Sequence, residues 1–262
     1  MDKIDNNQIT KNTQGKEIFV VFLDIMGFKD RVARTSFDKL YEELLDFNRD
    51  ITNIVSKCNT PLKNELKKEQ VVNLEDFSAI PSFDTNSDTV DELPTIRLAQ
   101  FSDSIVLFSK DDSKESLECL SKVAKGIMES AIVKRENPIP LKGAFAKGKV
   151  ACDLSKQLFF GQALIDAYLL EENIQYYGIV VHHSAEKDIK NYSLDLFSNK
   201  KIPLKVGGEI SHYELLWYAD CPNEAKEGLN ALRLTVSDSP RKYIDNTEKV
   251  IDIQNKPIKK HF

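Results

Sequence analysis

Metal-binding cysteine and histidine motifs are missing from this chain. Its four cysteines, Cys58, Cys119, Cys152 and Cys221, stand far apart without a C-x-x-C pair, and there are only four histidines. A zinc cluster and a disulfide framework are therefore not expected, and ordinary reduced core thiols are. His182 and His183 close an apolar run and read as a strand end, with opposite faces for their side chains. No apolar stretch approaches the ~20 residues of a membrane-spanning helix. Residues 1–16 are polar, without the apolar core of a leader peptide. Together these predict a cytoplasmic protein without a membrane partner. Positive charge is not in excess either: 36 basic against 41 acidic residues give a net charge of −5. No global basic field is there to recruit nucleic acid. Internal repeats and low-complexity tracts are also lacking, and the single tryptophan, Trp217, reads as core.

What is present centres on two stretches. Phe19 to Phe28 (FVVFLDIMGF) and Gln100 to Phe108 (QFSDSIVLF) each set one aspartate, Asp24 or Asp103, at the end of, or at a tight turn in, a strongly apolar β-like run. A carboxylate in such surroundings is costly unless a cation or hydrogen-bond donors meet it. Two of them point to a shared site of oxygen ligands, the kind Mg²⁺ or Mn²⁺ prefers. The blander alternative makes Asp24 a turn cap and Asp103 a hairpin-turn residue.

The rest of the chain frames these stretches. Residues 1–16 are expected as a polar tail, 17–236 as one domain, and 237–262 as a peripheral tail. Leu40, Leu44, Leu45, Phe47, Ile51, Ile54 and Val55 recur at helical spacing after Ser36. Residues 58–94, rich in Pro, Lys and Asp, read as an irregular insertion. A hairpin is predicted over 95–109 with its turn at 101–104. A helix follows from Ser113 to about Lys134, with Leu117, Leu120, Val123, Ala124, Ile127, Met128 and Ala131 as its apolar stripe. Strands are predicted at 141–151, 179–181, 202–206 and 212–218. Helices are predicted at 162–172, with Leu164, Ala167, Tyr168 and Leu170 inward, and near 222–234. Strands and helices mix without strict βαβ alternation, so the class is α+β.

The order of these parts, with Phe22-Leu23-Asp24-Ile25-Met26-Gly27-Phe28, the Phe101-Ser102-Asp103-Ser104 hairpin, Gly143 and Gly148, then Phe160-Gly161, resembles the catalytic domain of class III nucleotide cyclases. More narrowly it resembles the pyrimidine nucleotide cyclases of the bacterial anti-phage system called Pycsar. The resemblance spans roughly residues 17–185. It implies a ferredoxin-like βαββαβ core with additions, working as a head-to-tail homodimer. It also implies Asp24 and Asp103 as carboxylate ligands of two Mg²⁺ or Mn²⁺ ions, with the Ile25 carbonyl as a further ligand. Backbone from Ile25 through Met26 and Gly27 to Phe28 would face a nucleoside triphosphate, with Phe22 beside it. The product would be cyclic UMP from UTP, or cyclic CMP from CTP, sensed by a separate effector protein.

The departures from the purine cyclases matter as much. Their base-reading Lys and Asp fall at Ala99 and Leu158, and their transition-state Asn and Arg at Ile165 and Leu169. Candidate replacements are Arg97 on the hairpin, Lys142 or Lys147 on the 141–151 strand, and Tyr41 and Tyr168 around the base. Lys142, Lys147 and Lys149 are taken as one strand face, either solvated or a basic lip over the triphosphate. A cyclase-like dimer that binds nucleotide without turnover, and a purine cyclase with a rearranged pocket, stand as alternatives.

Overall fold

In the computed structural model, residues 15–59, 94–192 and 194–254 are described. One eight-stranded sheet organises them. Its strands are β1 (Lys16–Ile25), β2 (Ile96–Phe101), β3 (Ser104–Ser109), β4 (Leu141–Asp153), β5 (Leu158–Gly161), β6 (Ile179–Val181), β7 (Phe197–Pro203) and β8 (Glu209–Leu215). The spatial order is β2-β3-β1-β4-β6-β8-β7, with β5 paired to β4. The predicted α+β class and ferredoxin-like core are what the chain adopts, with helices added.

β1 lies at the centre because its run from Ile18 to Leu23 is apolar on both faces, and only a strand covered on both sides buries all of it. It pairs antiparallel with β3 and with β4. Gly143 makes the second pairing possible: a Cβ there would stand 2.4 Å from the Phe22 carbonyl oxygen. The register from Lys16↔Val150 to Ile25↔Leu141 runs unbroken, so faces alternate strictly along both strands.

The helices are α1 (Phe28–Arg34), α2 (Phe37–Asn59), α3 (Lys114–Ile132), α4 (Gln162–Asn173), α5 (His183–Tyr192), α6 (Pro222–Arg233) and α7 (Arg241–Gln254). Ser113 caps α3, its side chain accepting from Ser116 N–H at 3.2 Å, and every residue of the predicted α3 stripe is buried. In α2 the buried residues are Leu40, Phe47, Ile51 and Val55, whereas Leu45 faces solvent. On α4, Ala167 is buried and Leu164 and Leu170 pack against the core as predicted, while Tyr168 is exposed and Ala163 and Glu171 are buried as well.

Three further differences concern the ends and the thiols. Residues 60–93, most of the predicted insertion, and 1–14 of the predicted tail lie outside the described residues. The feet of that insertion are clipped together. Asn59 donates to the Ile96 carbonyl at 2.9 Å, and its Oδ1 accepts from Ile96 N–H at 2.8 Å. The stretch from 237 is not peripheral throughout, because α7 buries Tyr243, Ile244, Thr247, Val250 and Ile251. Cys58 and Cys119 form a disulfide between α2 and α3, with Cα atoms 6.2 Å apart. That corrects the expectation of four reduced thiols. Residues 61 apart in sequence meet because the two helices pack side by side, which spacing alone does not reveal.

Candidate active site

Asp24 is the penultimate residue of β1, opposite Ser104 on β3 and Lys142 on β4. Asp103 occupies the β2–β3 turn, which Ser102 enters at φ 55°. The two are locked together through the backbone, since Ile25 N–H donates to the Asp103 carbonyl at 2.9 Å. Gly27 follows with φ 69°, in the left-handed region that glycine enters without strain, and turns the chain into α1. Arg31 anchors that helix, donating to Glu43 at 3.0 Å and to the Pro138 carbonyl at 3.3 Å.

Electrostatics distinguish Asp24 from a turn cap. Burial raises its pKa, nearby Glu171 and Asp103 raise it further, and Lys142 and Lys205 oppose them, leaving it pushed up to about 6. A half-buried carboxylate beside two others is under-neutralised as it stands. That is the condition a hard divalent cation relieves, and the donors are all oxygen. Among the described residues no group of three or more His, Cys, Asp or Glu converges on one point, so any cation there is held by this pair with backbone and ligand oxygens.

The remaining predicted site residues divide. Phe22 shares the Asp24 face of β1 and packs edge-on against Tyr168 of α4, ring centres 5.5 Å apart. Phe28 packs at the edge of the core, just beyond Gly27. Ile25 and Met26 stand at the turn, but their N–H groups are committed, the latter to the Pro140 carbonyl at 2.8 Å. Of the predicted Ile25–Phe28 backbone cradle, the N–H groups of Gly27 and Phe28 are what remains to be offered.

The cations proposed from sequence are engaged elsewhere. Lys142, 1% exposed, is paired with Glu171 Oε1 at 2.5 Å and donates to the Glu171 carbonyl at 2.6 Å. Burial pushes its pKa down and that of Glu171 up, against their mutual attraction. It stands opposite Asp24 on the neighbouring strand, with its ammonium committed to Glu171. Arg97 donates to the carbonyls of Ser109 and Cys152, at 3.0 and 3.4 Å, and opposes Phe108, four positions along β3 from Ser104. Lys147 lies between Asp112 and Asp188, at 3.0 and 3.2 Å. It stands five positions from Lys142, so it and Lys149 occupy the opposite face of β4, and the single basic lip does not exist. Tyr41 is 56% exposed, stacked on Phe37. Ile165 and Leu169, at the Asn and Arg positions, are exposed on α4.

Sequence reasoning missed two groups near Asp24, both from the C-terminal third. Lys205, in the β7–β8 turn, acts on Asp24, Lys142 and Glu171. Tyr243 of α7 is close enough for Asp24 and Glu171 to help raise its pKa, behind the larger effect of burial, to about 12. No local pattern marks either one, because sheet pairing and helix docking alone bring them in.

Comparison with known proteins gives two kinds of result. The model of the CagE, TrbE, VirB family, component of type IV transporter system, matches residues 3–146, which include β1 to the middle of β4 and so both aspartates. No curated protein matches the chain. Among solved structures, the catalytic core of a rhodopsin-guanylyl cyclase with converted specificity, in complex with ATPαS, is similar over 77% of this chain and 96% of that one. Its TM-score is 0.52 and its identity 14%. The guanylate cyclase domain of RhGC from Catenaria anguillulae, in complex with GTP, is similar over 77% of this chain and 97% of that one, with TM-score 0.51 and identity 14%. The fold is thus of the class III nucleotide cyclase type. No described helix is long and apolar enough to cross a membrane.

Proposed function

The chain belongs to the CagE, TrbE, VirB family, and from its class III cyclase-type fold we propose that it is a nucleotide cyclase. The observation that carries this is the under-neutralised carboxylate of Asp24, tied to Asp103 through the Ile25–Asp103 backbone bond at the end of the central strand. In the reaction the ribose 3′ oxygen bonds to the α-phosphorus. The bond to the bridging oxygen breaks, pyrophosphate leaves with the electron pair, and the hydroxyl proton passes to solvent. Asp24, Asp103 and the Ile25 carbonyl are the groups to hold Mg²⁺ or Mn²⁺. Two such ions would lower the pKa of the attacking hydroxyl and offset the charge of the leaving group. The chain's own part is to fix both carboxylates on paired strands and to present the Gly27 and Phe28 N–H groups to phosphate.

Ala99 and Leu158 give a purine nothing to hydrogen-bond at the positions purine cyclases use, which supports a pyrimidine substrate. UTP, giving cyclic UMP, is the favoured reading and CTP its alternative; the product would serve a separate sensing effector in anti-phage defence. Exposed Ile165 and Leu169 on α4, with Leu158 and Phe160 on β5, support a homodimer that covers them. The family description favours a second reading, a type IV transporter component that uses this domain to bind nucleotide without turnover.

The deciding experiment offers ATP, GTP, CTP and UTP separately to the full chain with Mn²⁺ and identifies products by mass. A cyclic pyrimidine nucleotide, reduced about 100-fold or more in Asp24→Ala and Asp103→Ala, is expected. A cyclic purine would sink the pyrimidine argument, and bound nucleotide without product would favour the transporter reading.

A further inference from the structure

Three of the chain's four histidines, His182, His183 and His212, meet in the fold, and two carboxylates stand with them. Two distant segments bring this about. The antiparallel register that sets Val180 of β6 opposite Glu214 of β8 sets His182, the residue after β6, opposite His212. His183 then opens α5 instead of continuing the strand, so the expected alternation of faces ends there. Its ring centre lies 4.0 Å from that of His182. Glu186 follows one turn later on α5, its carboxylate 3.9 Å from His212 Nδ1. Asp166 of α4 stands 3.8 Å from His182 Nδ1.

These groups do not satisfy one another. His212 Nδ1 is buried without a hydrogen-bond partner, and both imidazole–carboxylate separations exceed hydrogen-bond length. Ser184 Oγ holds the His182 ring at Nδ1, 3.0 Å away, and also accepts from Lys147 N–H at 2.9 Å. Burial, with His183 and His212 beside it, keeps the His182 pKa below its ordinary value, against Asp166 and Glu186. A neutral imidazole is the form that ligates a metal. Imidazoles with one carboxylate suit a borderline cation such as Zn²⁺ or Co²⁺, unlike the all-oxygen donors at Asp24 and Asp103. As the side chains stand, no three donors among the described residues close on one point. Two ligands of a tetrahedral ion lie roughly 3.4 Å apart. The 3.9 Å between His212 and Glu186 therefore closes with a small side-chain turn, and His183, being exposed, is free to turn towards them.

We propose that His182, His183, His212 and Glu186 form a transition-metal site for Zn²⁺ or a like divalent ion, with Asp166 and Ser184 orienting His182 from outside. The site is separate from the Asp24–Asp103 pair and does not rest on the nucleotide reading. Its ion ties β8, in the C-terminal third, to the junction of β6 and α5. No local sequence motif marks it, because sheet pairing alone brings His212 to the other two.

The test is titration of Co²⁺ into the full chain, without an affinity tag and in excess Mg²⁺ to fill carboxylate sites, followed by visible absorption. A tetrahedral Co²⁺ spectrum saturating at a single ion per chain, and abolished by Zn²⁺, is expected. His183→Gln replaces an exposed side chain and should stay folded, yet weaken binding by about 100-fold, as should His212→Gln. Asp166→Asn should weaken it by about 10-fold. Free Zn²⁺ at about 100 times its Kd should raise the melting temperature of the wild type by about 5 °C and leave that of His183→Gln unchanged. A weak six-coordinate spectrum, or the same tetrahedral spectrum in wild type and His183→Gln, would overturn the proposal. A thiolate charge-transfer band would also overturn it, by moving the ion to Cys152 or Cys221.

Discussion

Asp24 is held in a position that its own chemistry resists. Its pKa is raised from 3.8 to about 6, so the fold favours the protonated form. A group of that kind stabilises the protein fully below its unfolded pKa, and the contribution is lost as pH rises through the folded value. In chelator, the melting temperature should therefore decline between about pH 4 and pH 7, and Asp24→Asn should flatten that decline. Glu214 adds a second contribution of the same sign. Burial pushes its pKa to about 7, against the hydrogen bond it accepts from Tyr218 at 2.6 Å. The difference between wild type and Asp24→Asn isolates Asp24; identical slopes would refute the electrostatic account of the site. Both aspartates were legible in sequence because a carboxylate ending an apolar strand is conspicuous. The cations were not. Lys142 and Lys147 look alike as letters, yet strand parity and the Glu171 pair give them opposite fates, and Lys205 is remote in sequence from everything it meets.

Among the elements, α2 and α3 carry the most testable correction. Their disulfide closes a segment of 61 residues that contains the predicted insertion. Native protein denatured without reductant should show two reactive thiols, Cys152 and Cys221, and four after reduction. Four thiols before reduction would contradict the bridge. Replacing both Cys58 and Cys119 by Ser should cost about 4 kcal/mol, a fall on the order of 10 °C in melting temperature. The elements themselves were largely visible in the chain. The α3 stripe of seven apolar residues is buried as its spacing predicts, and the serines buried with it, Ser116, Ser121 and Ser130, satisfy their hydroxyls in hydrogen bonds. On α4 only Tyr168 departs from the predicted stripe; the burial of Glu171 in its ion pair with Lys142 is what an apolar count could not reveal.

For the whole molecule, the α+β class followed from the order of strands and helices and the ferredoxin-like core from the resemblance to class III cyclases, and the β1–β4 sheet with its two aspartates adopts it. The C-terminal third was read only as scattered elements. It proves to extend the same sheet by β7 and β8 and to dock α7 beside them, by pairings between distant segments that local periodicity does not encode. A whole-molecule consequence concerns association. If Ile165 and Leu169 are covered in a homodimer, sedimentation should give twice the chain mass, and Ile165→Asp with Leu169→Asp should return a monomer that retains its melting temperature within about 3 °C. A wild-type monomer at assay concentrations would remove the dimer from the account.

All of this depends on whether Asp24 and Asp103 act as one cation site. The most direct measurement is electron paramagnetic resonance of Mn²⁺ titrated into the full chain with α,β-methylene UTP, beside Asp24→Asn and Asp103→Asn. The account predicts quenching of the free-ion signal by the wild type, and loss of that quenching in either variant with folding intact. Mn²⁺ bound equally by all three proteins would contradict it.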